Sequence, residues 1–110
     1  MILNNLKIKL TEQLKTVLSS AGFGTGVNPP SGDDQALENS LGVGFPLIKT
    51  SSANRLSVVS TIDPDSLNNH DISEIGLFDQ NSVLLVRCIH NPIPKNQSIR
   101  LTYKLDFEVE

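Results

Sequence analysis

The sequence has no Trp, one Tyr, four Phe and a single Cys in 110 residues. Each scarcity closes a route. With few aromatic rings the core must come mainly from Leu, Ile and Val, and exposed aromatic platforms for sugar binding are in short supply. One cysteine forbids an internal disulfide. That residue, Cys88, sits between Val86 and Ile89 and reads as a small buried hydrophobe on a strand, not as a reactive thiol. No apolar run approaches the roughly 20 residues that span a bilayer. The N-terminus lacks the basic segment, long apolar stretch and small-residue cleavage site of a signal peptide. A soluble chain made in a reducing compartment, without membrane insertion, is therefore expected. Net charge is only −3, and the nine Lys and Arg are scattered. Lys7, Lys9 and Lys15 come nearest to a basic patch. A nucleic-acid partner is not expected, because such binders gather basic charge on one face.

What remains organises as one domain over residues 1–110, a usual size for one core. Residues 1–21 predict a helix. Leu3, Leu6, Leu10, Leu14, Val17 and Leu18 recur at helical steps, Glu12, Gln13, Lys15 and Thr16 fall on the other side, and Gly22 stands where a stop belongs. A short strand competes over residues 4–10, where Leu6, Ile8 and Leu10 alternate with Lys7 and Lys9; Thr11 would then cap a shorter helix. Residues 22–44 are rich in Gly and Pro and read as a shaped loop. Pro29 and Pro30 exclude a central strand there, and Ser31, Asp33 and Asp34 predict one helical turn through Ala36, Leu37 and Glu38.

Residues 45–110 read as antiparallel β-structure. Strands are expected over 45–50, 56–62, 72–78, 83–89 and 98–109, with a polar loop at Pro64, Asp65, Asn68 and Asn69. Asp79, Gln80, Asn81 and Ser82 make a hairpin turn, closed by Asp79 through neighbouring backbone. Pro92 and Pro94 interrupt the chain before the last strand. There Ile99, Leu101, Tyr103, Leu105, Phe107 and Val109 alternate with Arg100, Thr102, Lys104, Asp106 and Glu108, so one side is buried. Gly76 inside a strand predicts a bulge or a close backbone approach. Leu77 and Phe78 point to opposite sides, one into the core and the other toward a neighbouring subunit. The expected fold class is mainly β: an antiparallel β-sandwich-like domain with an N-terminal α-helix.

Candidate chemistry is thin. Asp63, Asp65, His70, Asp71 and Glu74 are the nearest approach to an oxygen-rich cation site, but their spacing matches no metal loop and suits a solvated connection. His70 and His90 accompany no nucleophile motif. Gly24-Thr25-Gly26 lacks the third glycine of a dinucleotide loop and the Lys of a phosphate loop, so turn formation explains it better. Glu74 and Arg87 stand at similar heights on the two strands of the hairpin. As an exposed pair they would contribute only ~0–1 kcal/mol. No catalytic residue, cofactor or metal is expected, and the chain is not read as an enzyme.

One resemblance orders these fragments. Gly24-Thr-Gly26, Pro29-Pro30, Asp34-Gln-Ala-Leu-Glu-Asn39, Glu74-Ile-Gly-Leu-Phe-Asp79, Leu84-Leu-Val-Arg87 and Pro92-Ile-Pro-Lys95 follow one another as in a family of tailed-bacteriophage tail structural proteins. The family comprises tail-fibre, tail-collar and baseplate-associated proteins. Each match is common alone, and the order and spacing carry the likeness over most of 24–109. Where many relatives have a full first strand, this chain has only Ala21-Gly22-Phe23-Gly24, so the helix is expected to run almost directly into the loop. The resemblance implies a structural component of a phage tail, a baseplate or tail-fibre attachment module acting through protein–protein assembly. The alternative on the same scaffold is a receptor- or carbohydrate-binding module. The implied partners are other tail or baseplate proteins and copies of the chain itself, and the implied location is the virion, after assembly in the host cytoplasm. Leu3, Leu6, Leu10 and Leu14 would either pack on the sheet or meet other copies.

Overall fold

The computed structural model describes all 110 residues. In chain order the elements are α1 (Asn4–Val17), β1 (Ser20–Gly24), β2 (Ser40–Phe45), β3 (Ile48–Ser52), β4 (Arg55–Ile62), β5 (His70–Phe78), β6 (Leu84–Lys95) and β7 (Leu101–Glu108). They form two antiparallel sheets, a four-stranded one ordered β2-β1-β5-β6 and a three-stranded one ordered β3-β4-β7. The mainly β, sandwich-like architecture with an N-terminal helix is thus as expected.

Strict alternation produced the strands read most directly. In β4 Leu56, Val58, Ser60 and Ile62 are buried, while the residues between them reach partial solvent. In β7 Leu101, Tyr103, Leu105 and Phe107 turn inward and pack against the core. β4 and β7 pair in continuous register from Arg55↔Glu108 to Ile62↔Leu101. Between the sheets lie Phe23, Leu56, Val58, Ile62, Ile72, Ile75 and Leu77. Phe23 meets Phe45 edge-on at 5.0 Å and Tyr103 at 5.1 Å, so three of the few aromatic side chains share one place in the core.

The main correction concerns residues 20–44, expected as helix end and loop. Ser20–Gly24 is instead a central strand, paired to β2 on one side and to β5 on the other. Ala21 and Phe23 enter the core, and their burial outweighs the poor strand propensity of Gly22 and Gly24. The expected helical turn over Ala36, Leu37 and Glu38 is absent; residues 25–39 form turns and irregular chain. The strand expected over 45–50 is divided, since Pro46 lies between the end of β2 and the start of β3.

A second correction concerns Pro92 and Pro94, which do not end β6. The strand continues to Lys95, with Ile93 opposite Ile72 and Pro94 opposite Asp71. The Lys95 carbonyl accepts from Asn69 N–H at 2.9 Å and therefore points toward β5. Main-chain groups of successive residues point to opposite sides of a strand, so Pro94 presents its ring nitrogen to the free edge, and Pro92 falls in the unpaired stretch of the register shift. No ladder bond is lost there. A register shift between Ile72 and Glu74 absorbs the extra residues of β6.

The β5–β6 turn behaves as read. Asp79 Oδ1 accepts from Asn81 N at 2.8 Å and from Val83 N at 2.9 Å, and Ser82 takes a left-handed φ of +63°. Asp79→Ala removes both acceptors and is expected to cost about 1–2 kcal/mol at net values near 1 kcal/mol per bond. The shift of the urea midpoint checks this.

Residues 4–10 are helical, which resolves the competition with a strand. Yet α1 does not bury the face that its leucines outline. Thr11 and Leu18 are buried and Leu14 packs at the margin of the core. The helix is held at its C-terminal end: Lys49 Nζ from β3 donates to Lys15 O at 2.8 Å and Leu18 O at 2.6 Å. Cations suit this end of a helix, where carbonyls lack intrahelical partners. Ser51 Oγ adds a bond to Glu12 Oε1 at 2.7 Å.

Candidate functional site

β5 is buried on both faces. Ile75 and Leu77 point between the sheets, and Glu74, Gly76 and Phe78 point outward beneath residues 25–39. Glu74 is the centre of this covered face. Its Oε1 accepts from Gly26 N at 3.1 Å and Asn39 N at 2.9 Å. Its Oε2 accepts from Glu38 N at 3.2 Å and Arg87 Nε at 2.9 Å. Ser73 Oγ donates to Gly26 O at 2.6 Å, so both backbone groups of Gly26 are held by β5.

Arg87 reaches Glu74 diagonally from β6, because its direct neighbour across the ladder is Gly76. Nη1 bonds Asp34 Oδ2 at 3.2 Å, and Nη2 lies 3.9 Å from Glu38 Oε2. The latter is near enough for charge attraction but too long for a hydrogen bond, and Nη2 is a buried donor without a partner. The exposed pair expected from the hairpin is in fact enclosed, with the side chains of Glu74 at 0% and Arg87 at 5% exposure. The cover comes from residues 35 to 48 positions away in sequence, which hairpin spacing alone does not reveal.

The glycines have a different role from the turn expected of them. Neither Gly24 nor Gly26 has a positive φ. A Cβ on Gly24 would overlap the Glu74 carboxylate and the Asn39 carbonyl oxygen. One on Gly26 would lie 2.7 Å from Glu74 Oε2. The two positions are bare because a carboxylate occupies the space. Gly76 shows the close approach foreseen for it: a Cβ there would meet Leu37 at 2.7 Å and Leu84 at 2.8 Å. Phe78 does not face a neighbouring subunit. It is buried, and its ring lies over Gly22 and Gly76.

Burial by itself would raise the Glu74 pKa, but the Asn39 amide, the Arg87 guanidinium and the amides of Glu38 and Gly26 hold it below the ordinary 4.5. Burial works against the Arg87 charge, while Glu74 and Asp34 move its pKa upward. Such a carboxylate is a poor base. Its two oxygens already accept from four donors, which occupies about all the lone-pair directions it has. The arrangement fixes a loop to a sheet and does not present a reacting atom.

Linkage gives the sign of the pH dependence. A carboxyl whose folded pKa is depressed stabilises the fold above its unfolded value, near 4.3, and that contribution is lost as pH falls through the folded pKa. Urea midpoints are therefore expected to drop on acidification below about pH 4, and less steeply in Glu74→Gln. Parallel titration of the two proteins by circular dichroism measures the difference.

The other candidates stay apart. Asp63 lies 3.7 Å from Arg100 Nε at the surface, His70 and Asp71 are exposed at the start of β5, Asp65 is exposed, and Glu74 is inside. No group of three or more His, Cys, Asp or Glu is placed to hold a metal ion. His90 Nε2 shares a 2.7 Å hydrogen bond with the Tyr103 hydroxyl, whose pKa burial pushes up to about 12. Cys88 is half-buried on β6 beside the core.

Two lysines escaped the sequence reading, Lys49 at the helix end and Lys95. Lys95 is buried, and its Nζ donates to Pro64 O, Asn68 Oδ1 and Asn96 O at 2.8–3.1 Å. It thereby holds the loop containing Leu67 and Asn69, both with positive φ. No helix is long and apolar enough to cross a membrane. No protein-family model matches the sequence, and no curated protein matches it either.

Proposed function

We propose that this chain is a structural component of a phage tail, a baseplate or fibre-attachment module that works by protein–protein assembly and carries out no reaction. One observation supports the reading above others. The segments that resemble tail proteins are far apart in sequence, yet Gly24, Gly26, Glu38, Asn39, Glu74 and Arg87 meet around one carboxylate. Leu37, Gly76 and Leu84 meet beside it. Short matches arising by chance would have no reason to converge on a single joint. The spacing pattern behaves as the signature of a scaffold.

The aromatic side chains give sugar recognition little support. The only Tyr packs on Phe23 and bonds His90, so it offers no open platform. A groove of about 470 Å³ runs over β3, β4 and β7 and is lined mainly by Thr, Ser, Lys, Arg and acidic residues. Mass spectrometry and electron microscopy of purified virions of the phage or prophage encoding the chain test the proposal. The chain is expected in the tail at fixed stoichiometry, and its absence from intact particles overturns the reading.

A further inference from the structure

We infer that two copies of this chain join through β7, edge to edge and antiparallel, about a two-fold axis at Leu105. The inference goes beyond the assembly reading by naming a backbone edge and its register, and it rests on that reading only for its setting. The strands bordering the two sheets are β2, β6, β3 and β7. All but β7 are guarded. β2 and β6 each bulge twice against their neighbours, and β6 also carries Pro92 and Pro94. β3 is short and lies against α1, to which Lys49 and Ser51 bond. β7 has none of these devices. It contains no Gly or Pro and pairs with β4 from end to end without a shift. A regular, unpaired edge of this kind is the form that accepts another strand.

The direction of its free groups follows from one bond. Val109 N–H donates to Asn54 O at 2.9 Å, toward β4. Successive residues alternate, so Thr102, Lys104, Asp106 and Glu108 turn N–H and C=O to the open side. The inward side chains report the same border. Leu56, Val58 and Ile62 of β4 are fully buried, while Leu101, Tyr103, Leu105 and Phe107 of β7 are only partly so.

Charge selects a second copy as the occupant and sets the register. A two-fold axis normal to the sheet keeps both cores on one side. With Leu105 on that axis, Lys104 stands opposite Asp106 of the second copy and Thr102 opposite Glu108, each pair occurring twice by symmetry. Lys104 and Asp106 have no ion-pair partner within their own chain. The residues with free main-chain groups all fall in hydrogen-bonded pairs. Leu105 meets its own copy at a position between them, where side chains approach most closely. Tyr103 of one copy stands opposite Phe107 of the other. An axis at Lys104 or Asp106 opposes like charges, and one at Tyr103 or Phe107 leaves a stretch of the strand unpaired. The joined sheet runs β3-β4-β7-β7-β4-β3, and because the open edge is used up, association stops at two copies.

Sedimentation equilibrium of the full chain tests the inference, and the mass of two chains of 12.0 kDa is expected. Lys104→Asp and Asp106→Lys each oppose like charges across the axis, and each is expected to halve the mass. Both residues are exposed, so circular dichroism is expected to stay the same. Mixing the two variants restores opposite charges at every pair, and a heterodimer is expected from two monomers. A role of either residue in folding alone gives no such recovery. Amide exchange followed by NMR locates the contact: Thr102, Lys104, Asp106 and Glu108 are expected to be protected in the dimer and to lose that protection in Lys104→Asp. A wild-type chain that stays monomeric at millimolar concentration overturns the inference. So does a dimer that survives both single substitutions, a mixture that stays monomeric, or a dimer whose β7 amides exchange as fast as in the monomeric variant. Protection of those amides in a monomeric chain only after other purified tail proteins are added also overturns it, and gives the edge to a different protein. A monomer in solution leaves the virion-composition test standing, and absence from virions leaves the solution test standing.

Discussion

Glu74→Ala is expected to lower the free energy of unfolding by about 3–5 kcal/mol, the usual cost of removing one partner from a buried ion pair. The substitution leaves three backbone N–H groups and a buried guanidinium without their acceptor. Arg87→Ala is expected to fall in the same range or somewhat below, because the three amides still satisfy the Glu74 charge. Glu74→Gln keeps two acceptor lone pairs and the side-chain volume, and should cost less than either. Native proteins are stable by only about 5–15 kcal/mol, so the alanine variants approach loss of the fold. Urea denaturation at pH 7 measures all three. Equal costs for Gln and Ala would mean that the charge and its full set of acceptor positions hold the joint, and the side-chain volume does not. A cost below about 1 kcal/mol for Glu74→Ala would refute the view of a joint that holds residues 25–39.

The second large effect belongs to Gly24. Gly24→Ala adds one methyl group where the Glu74 carboxylate and the Asn39 carbonyl already stand. Overpacking of this kind costs about 1–3 kcal/mol, and more when it displaces a charge. Here the displaced group is the hub itself, so a loss of roughly 3 kcal/mol is expected. Gly32→Ala is the matched control, because a Cβ at Gly32 has nothing within 4 Å. It should be neutral within about 0.5 kcal/mol. A double variant, Gly24→Ala with Glu74→Ala, should cost less than the sum of the two. Independent sites add, and coupled neighbours do not.

How much of this was legible follows from where each signal lies. The alternation in β4 and β7 could be read because one face is buried and the partner strand adds nothing to the pattern. β1 was hidden because two of its five residues are glycines, and their reasons lie on other strands: the Phe78 ring and Val43 at Gly22, the Glu74 carboxylate at Gly24. β6 was cut short because proline is read as a break until the strand is known to be an edge. For the hub, the hairpin already offered Glu74 and Arg87 as partners. Burial was the missing part, because the lid is supplied by Gly26, Asp34, Glu38 and Asn39, about three to five dozen residues earlier in the chain. The run of leucines in α1 was recognised as a face. Its periodicity did not say which side the sheet takes, and Lys49 and Ser51 set that angle through polar bonds.

The two prolines on the free side of β6 have a consequence for life at high local density. A bare strand edge invites any other bare edge, and the pairing is indiscriminate because every backbone looks alike. With no N–H to offer at Pro92 and Pro94, the end of this border near Lys95 is a poor template for a growing ribbon. Copies crowding that border are then left to find each other through side chains, which differ from place to place. At this end of β6 the same residues discourage indiscriminate strand pairing and leave ordered side-chain contacts free to form.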